Sequence, residues 1–240
     1  MSYFHHCAQT DVGKVRKINE DSMVSVPELG AFLVADGMGG HSGGDFASQT
    51  LVARINQIDR NLPSSEVMKA MRAAILEAHY AILEEADRRG SGAIGTTAVG
   101  LVLAEPHFVC LWVGDSRLYH CRNGKMVQLS RDHSLVNDLL ESGQITEAEV
   151  ENHPHGNVIT RAVGVGETLE IDKLRGTYEP GDRFLLCSDG LSGFVTDEVI
   201  GQFMATAPMD TICGELINLA LEGGGRDNIT AIVIEIPDHF

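Results

Sequence analysis

An α+β fold with largely antiparallel sheets is predicted by three features of this 240-residue chain. Short apolar runs recur near both ends, two helical stretches separate the first runs from the next, and no regular strand–helix–strand alternation connects them. Without that alternation the sheets lack the crossovers that parallel strands need.

The opening reads as strand, turn, strand, over Phe4 to Gln9, Ser22 to Val26 and Ala31 to Ala35. A glycine-rich turn, Asp36 to Gly44, leads into a helix with Ala47, Leu51, Val52, Ile55 and Ile58 on one face. After Pro63 and Ser64, a second helix carries Val67, Met68, Met71, Ala74, Ile75, Ala78 and Ile82 at a 3.6-residue period. Both stripes should pack on a sheet.

The period then changes. Thr96 to Leu103, His107 to Val113, Arg117 to Cys121 and Lys125 to Leu129 read as successive strands, with Asn123-Gly124 as a hairpin turn. An irregular helical region follows Ser134, and Thr146-Glu147-Ala148-Glu149 makes a capping box. Further strands are expected over Val158 to Ala162, Leu169 to Thr177 and Arg183 to Cys187. A late helix places Met209, Ile212, Cys213, Leu216 and Ala220 on one side and stops at Gly223-Gly224-Gly225. Ile229 to Ile236 is the last strand. No repeat or linker interrupts residues 1–240, so one domain is expected, with a variable flap around 135–160.

Charge excludes some functions. The chain has 34 acidic against 18 basic residues, a formal net charge of −16. Sequence-independent nucleic-acid binding needs Lys and Arg to neutralise phosphates, and attachment to an anionic membrane surface needs the same. Neither fits. The five cysteines include no Cys-x-x-Cys pair, and Cys110 and Cys187 fall in apolar runs. They are read as buried free thiols in a reducing compartment. With no basic leader segment and no apolar span near 18 residues, a cytoplasmic location is expected. His5, His6 and Cys7 are read as a frayed terminus rather than a metal cluster.

Aspartates close or follow the apolar runs. Asp36 ends Phe32-Leu33-Val34-Ala35, Asp115 follows Cys110 to Gly114, Asp189 follows Phe184 to Ser188, and Asp227 precedes Ile229 to Ile234. Carboxylates gathered at sheet ends repel one another unless cations sit between them. Hard divalent ions such as Mg²⁺ and Mn²⁺ take oxygen ligands and keep several waters, so a few carboxylates suffice. Two such ions about 4 Å apart can share a bridging carboxylate, and Asp36 suits that role because Gly37 lets its carbonyl approach a cation. Arg16 could hold a phosphate through its guanidinium.

These stretches, in order along nearly the whole chain, resemble the bacterial metal-dependent protein phosphatases of type 2C. The matching pieces are Thr10-Asp11-Val12-Gly13 with Arg16 and Asn19-Glu20-Asp21; Val34 to His41; Gly95-Thr96-Thr97; and Gly114-Asp115-Ser116-Arg117. They continue with Arg131-Asp132-His133-Ser134, Asn157 to Ala162, Ser188-Asp189-Gly190-Leu191 and Asp227-Asn228-Ile229-Thr230. The resemblance implies a central β-sandwich of two antiparallel sheets flanked by helix pairs on both faces. It also implies hydrolysis of phosphoserine and phosphothreonine on proteins by a water bridging two metal ions, without a phosphoenzyme.

Carried onto this chain, the resemblance makes Asp36 the bridging ligand with the Gly37 carbonyl, and gives Asp189 and Asp227 to the first metal. Asp21, together with Glu20, acts through metal-bound water. Asp132 binds a third metal with Asp189, and Arg16 holds the substrate phosphate. Two to three Mn²⁺ or Mg²⁺ ions are therefore expected. Met38 stands where eukaryotic relatives place a histidine, so His41 is the candidate general acid, its imidazole being suited to protonating an alkoxide. Gly156 replaces a basic residue common in bacterial relatives after His-Pro-x. Asp115 is expected to support the site structurally. The expected partners are phosphorylated proteins and a cognate eukaryotic-like Ser/Thr kinase, with the enzyme itself a monomer. Two alternatives are carried: a catalytically inactive phosphatase-like scaffold, and a serine esterase using Gly114-Asp115-Ser116.

Overall fold

A computed structural model describes residues 4–39, 43–90, 92–150, 153–156 and 158–237. Eleven strands and seven α-helices are described, in the order β1 His5–Asp11, β2 Asp21–Val26, β3 Ala31–Met38, α1 Gly43–Asn56 and α2 Ser64–Arg89. Then come β4 Gly95–Thr96, β5 Ala98–Ala104, β6 His107–Val113, β7 Arg117–Arg122, β8 Lys125–Gln128, α3 Leu135–Glu141 and α4 Glu147–Val150. The chain continues with β9 Asp172–Thr177, β10 Arg183–Cys187, α5 Asp189–Ser192, α6 Asp197–Thr206, α7 Ile212–Glu222 and β11 Ile229–Glu235.

The strands form two sheets, one ordered β1-β11-β10-β7-β8 and the other β2-β3-β5-β6-β9 with β4 pairing β3, every pairing antiparallel. Strand side chains alternate between faces, and in β3, β5, β10 and β11 both faces are covered, which is why these strands read as nearly unbroken apolar runs. Phe32 and Val34 of β3 meet Phe184 and Leu186 of β10 and Ile232 and Ile234 of β11 between the sheets. Leu33 and Ala35 point the other way, onto Leu51 and Ile55 of α1 and Met71 and Ile75 of α2. Leu185 and Val233 likewise turn outward onto Ile200 of α6 and Leu216 of α7. Helices, sheet, sheet and helices thus stack in layers, the β-sandwich that the resemblance implies.

Several expectations shift. Strand β3 continues through Met38, so Asp36 and Gly37 are held in the ladder rather than in a loop. Residues 158–162 form no strand; Ile159 makes a single bridge to Ser134. Strand β9 starts at Asp172 rather than Leu169. Helix α6, where the sequence pattern predicts no element, covers the β7–β10 side of its sheet through Ile200 and Met204. Half of the capping box forms: the Thr146 amide and hydroxyl both donate to Glu149 Oε2 at 2.8 Å, while the Glu149 amide donates to the Thr146 carbonyl.

The cysteine expectation is corrected. Cys7 and Cys213 form a disulfide between β1 and α7, whereas Cys110, Cys121 and Cys187 are buried free thiols. The two partners are 206 residues apart in sequence and meet only because α7 packs over β1 and β11. Nor is the N-terminal segment frayed from His5 onward, since His5 to Asp11 pair residue by residue with β11. Among the described residues, no helix is long and apolar enough to cross a membrane.

Candidate metal centre and phosphate cleft

One end of the sandwich collects the acidic residues. Strand β2 begins where β3 ends, so Asp21 and Asp36 are directly paired across the ladder. On the other sheet, β10 ends at Cys187 and β11 begins at Ile229, which brings Asp189 and Asp227 to the same end. A cleft of about 340 Å³ opens there, lined by Arg16, Glu20, Asp36, Gly37, Asp115, Asp189 and Asp227, with Thr97, Met38 and Ile159 among its other walls.

The backbone of Asp36 is fixed by the Gly95-Thr96-Thr97 segment. Its amide donates to Thr97 Oγ1 at 2.9 Å, and its carbonyl accepts from the Thr97 amide at 2.8 Å and from Thr96 Oγ1 at 3.0 Å. Gly37 is required by close approach: a Cβ there would lie 2.1 Å from the Gly44 carbonyl oxygen and 2.5 Å from that of Glu20. Asp21 sits deeper. Ser188 Oγ and Thr230 Oγ1 each donate to its Oδ2 at 2.7 Å, while its Oδ1 is buried with no hydrogen-bond partner. Asp189 Oδ1 is buried and unpartnered as well.

Burial and mutual repulsion drive the carboxyl groups toward protonation. Burial pushes Asp21 up to about 6 despite its hydroxyl donors. Asp115 rises to about 7, chiefly by burial and then through Asp189 and Asp132. Asp36 is driven well above the usual carboxylate range by burial and by Asp21, Asp189 and Asp115. Burial, then Asp227, raises Asp189, and burial also raises Glu20.

This donor set fits divalent cations. It supplies only hard oxygen atoms, two of them orphaned in the interior, and carboxyl groups whose charges repel one another. Among the described residues no three acidic, histidine or cysteine side chains close into a ready-made cage. Hydrated Mg²⁺ or Mn²⁺ needs none, because one or two carboxylates per ion and several waters complete its shell.

Arg16 reaches the cleft from the loop after β1. Its Nη2 donates to Asp227 Oδ2 at 2.7 Å, with about half of the Arg16 side chain exposed. The bond to Asp227 pulls this guanidinium's pKa up. Its Nε and Nη1 donors have no partner among the described residues, which leaves them open to a phosphate.

Asp132 occupies a different environment from the one expected of a ligand. It does not line the cleft. Arg117 clasps its carboxylate through Nε at 3.1 and 3.0 Å and Nη2 at 2.7 Å, and Gln128 Nε2 adds a bond of 3.0 Å. Tyr119 and Asp197 back up Arg117 from behind. Asp115, expected as support only, instead lines the cleft. His41 lies outside the described residues. Ser116, the nucleophile of the esterase alternative, is 1% exposed and bonded to Thr97 Oγ1 at 2.7 Å, and among the described residues its hydroxyl makes no hydrogen bond to a histidine.

Asn228 is legible in the sequence only as part of a motif, yet it is the keystone of the Arg16 loop. Its Nδ2 donates to the carbonyls of both Val12 and Ile18, at 2.9 and 3.0 Å, and its Oδ1 accepts from the Glu20 amide at 2.8 Å. Gly13 turns that loop at φ +78°, where a Cβ would meet the Asp227 carbonyl oxygen at 2.2 Å.

The chain is similar to proteins of known family. The family described as "Protein phosphatase 2C" matches residues 14–218. The serine/threonine protein phosphatase PstP of Mycobacterium tuberculosis is 35% identical over 235 residues, covering 98% of this chain, and this chain spans 45% of that protein's length. The serine/threonine phosphatase stp of Listeria innocua is 34% identical, with 95% of this chain and 94% of that protein covered. Among solved structures, PppA of Pseudomonas aeruginosa, described as a key regulatory component of T6SS, superimposes with a TM-score of 0.89 at 39% identity, covering 98% of both chains. The catalytic domain of PstP in complex with two manganese ions gives 0.89 at 33% identity, covering 98% of this chain and 99% of that one.

Proposed function

The chain belongs to the protein phosphatase 2C family, and from that membership we propose that it is a metal-dependent hydrolase of phosphoserine and phosphothreonine on proteins. The observation that carries the reading is the convergence of Asp36, Asp189, Asp227 and Arg16 on one cleft at the end of the sandwich, with Asp21 paired to Asp36 across the ladder beneath it. We assign two Mn²⁺ or Mg²⁺ ions to this centre, held by Asp36, the Gly37 carbonyl, Asp189 and Asp227, with Asp21 and Glu20 acting through ordered water. When bound, such ions neutralise phosphate charge and activate water for in-line attack at phosphorus.

The chain's own groups do the rest. Arg16 orients the phosphate with the donors that Asp227 leaves free. Thr96 and Thr97 hold Asp36 in place, so it need not reorganise during the reaction. His41 is assigned from the sequence as the proton donor to the departing serine or threonine oxygen. Asp132 is retained as a candidate ligand for a third ion, which requires that its carboxylate leave Arg117. We read residues 1–240 as one catalytic unit, with the segment around 135–160 bordering the cleft through Ile159. A cognate Ser/Thr kinase as the opposing activity follows from the family reading.

The test is hydrolysis of p-nitrophenyl phosphate. Turnover is expected with Mn²⁺ or Mg²⁺ and none in EDTA. Undiminished turnover in chelator would sink the metal-dependent reading.

A further inference from the structure

Outside the metal centre, the distribution of exposed apolar side chains is uneven. Among the described residues the large exposed hydrophobics are Val12, Val15, Ile18, Tyr80, Val127 and Val158. Three of them lie in the β1–β2 loop that carries Arg16, at 36%, 65% and 53% exposure, and Val158 adjoins Ile159 of the cleft wall. Scattered single residues of this kind need no explanation, whereas a cluster beside a cleft marks a contact surface.

The loop is held rather than frayed. Asn228 ties its two ends together through the Val12 and Ile18 carbonyls, the Lys14 amide donates to the Gly225 carbonyl at 2.7 Å, and Asn19 Nδ2 donates to Thr10 Oγ1 at 2.8 Å. Val15 and Ile18 are therefore presented to solvent by a fixed backbone, so little ordering entropy opposes their use in binding. The charge around them is also unusual for a chain of net −16. Lys14, Lys17 and Arg226 are exposed and form no ion pair with any described carboxylate, although Arg16 between them is paired to Asp227.

We propose that this loop is the substrate-selecting rim of the cleft. It takes a phosphorylated segment bearing an apolar side chain next to the phosphorylated residue and a further acidic side chain nearby. Val15 and Ile18 cover the apolar group; Lys14, Lys17 and Arg226 attract the acidic one. The loop is continuous with the cleft through Arg16, so a phosphate held there puts the flanking residues of the same peptide against it. This rests on the phosphatase reading above.

The experiment uses the full chain with Mn²⁺ and three phosphothreonine peptides. The first carries a valine flank and a glutamate, the second replaces the valine by serine, and the third replaces the glutamate by glutamine. Covering half of a valine or isoleucine side chain corresponds to a KM change of about five- to tenfold, so the wild type should prefer the first peptide by that factor over the second. The Val15→Ser/Ile18→Ser variant should lose that preference while keeping the preference over the third. Lys14→Ser/Lys17→Ser should do the reverse. Turnover of p-nitrophenyl phosphate, which has no peptide, should be unchanged in both variants. Equal KM for all three peptides in the wild type overturns the proposal, as does a uniform loss on every substrate, which would make the loop only structural. Absence of any turnover, including p-nitrophenyl phosphate, would instead bring down the phosphatase reading and the rim with it.

Discussion

Asp36 at the end of β3 and Asp189 just after β10 face one cleft at the end of the sandwich, each carried by a different sheet. Burial and the neighbouring charges of Asp21, Asp189 and Asp115 favour a proton on Asp36. A divalent cation held by both carboxylates would relieve the same repulsion and would tie the two sheets together.

Metal and proton should therefore compete. Mn²⁺ is expected to raise the midpoint of thermal unfolding and EDTA to return it, with the shift growing from pH 5 to pH 8 as the carboxyl protons leave. Calorimetry at several pH values measures this. A metal effect independent of pH would contradict this competition.

Without metal, the pH dependence of stability has a definite sign. Asp21 at about 6 and Asp115 at about 7 are raised above their ordinary value of 3.8 in the folded state. The folded protein then binds more protons than the unfolded one, so these groups' contribution is full below about pH 4 and lost as pH rises through about 7. Asp115→Asn should flatten that decline in chelator, as read by urea titration at pH 5 and pH 8.

Asp36→Ala, Asp189→Ala and Asp227→Ala should each lower kcat at least about a hundredfold, since removing even the outer partners of metal ligands costs 10- to 100-fold. Steady-state assays with saturating Mn²⁺ decide. A variant within a few fold of wild type would remove its residue from the centre.

Arg16→Ala should act on binding. A hydrogen bond to a charged group is worth about 1.5–3 kcal/mol, which corresponds to a rise in KM of about 10- to 100-fold with a smaller change in kcat. Arg16→Lys should recover part of the loss, because the charge remains while the fork does not. An unchanged KM in the alanine variant would exclude the phosphate role.

Asp132→Ala tests the arginine clasp. Breaking a fully buried pair costs about 3–5 kcal/mol. A quarter of the Arg117 side chain is exposed, so solvent relieves part of that, and about 2 kcal/mol is expected from urea unfolding. Comparison with Asp132→Asn, which retains acceptor capacity for Arg117, separates loss of the clasp from loss of a metal ligand.

Much of this fold and centre is legible in the order of amino acids alone. Runs such as Phe184 to Cys187 and Ile229 to Ile234 are apolar on both faces, so strands buried on both sides announce themselves. The aspartates at their ends can be read as a set for the same reason. What escapes depends on tertiary neighbours. Val199, Ile200, Phe203 and Met204 form too short a pattern to separate helix α6 from strand. Val158 to Ala162 has strand-like composition but meets only one bridging partner, Ser134. The Arg117–Asp132 clasp is invisible as spacing because it depends on how the β7–β8 hairpin returns. The Cys7–Cys213 bond likewise needs two ends of the chain to be folded together.

The pairing of the first strand with the last has a practical corollary. His5 stands opposite Glu235, while Asp11 stands opposite Ile229 beside the aspartates. The described strand ends at His5 and Glu235 thus lie at the pole away from the acidic cleft. A chemical attachment at the exposed His5 position would leave the cleft entrance clear, which suits an immobilised form of the protein to every assay above.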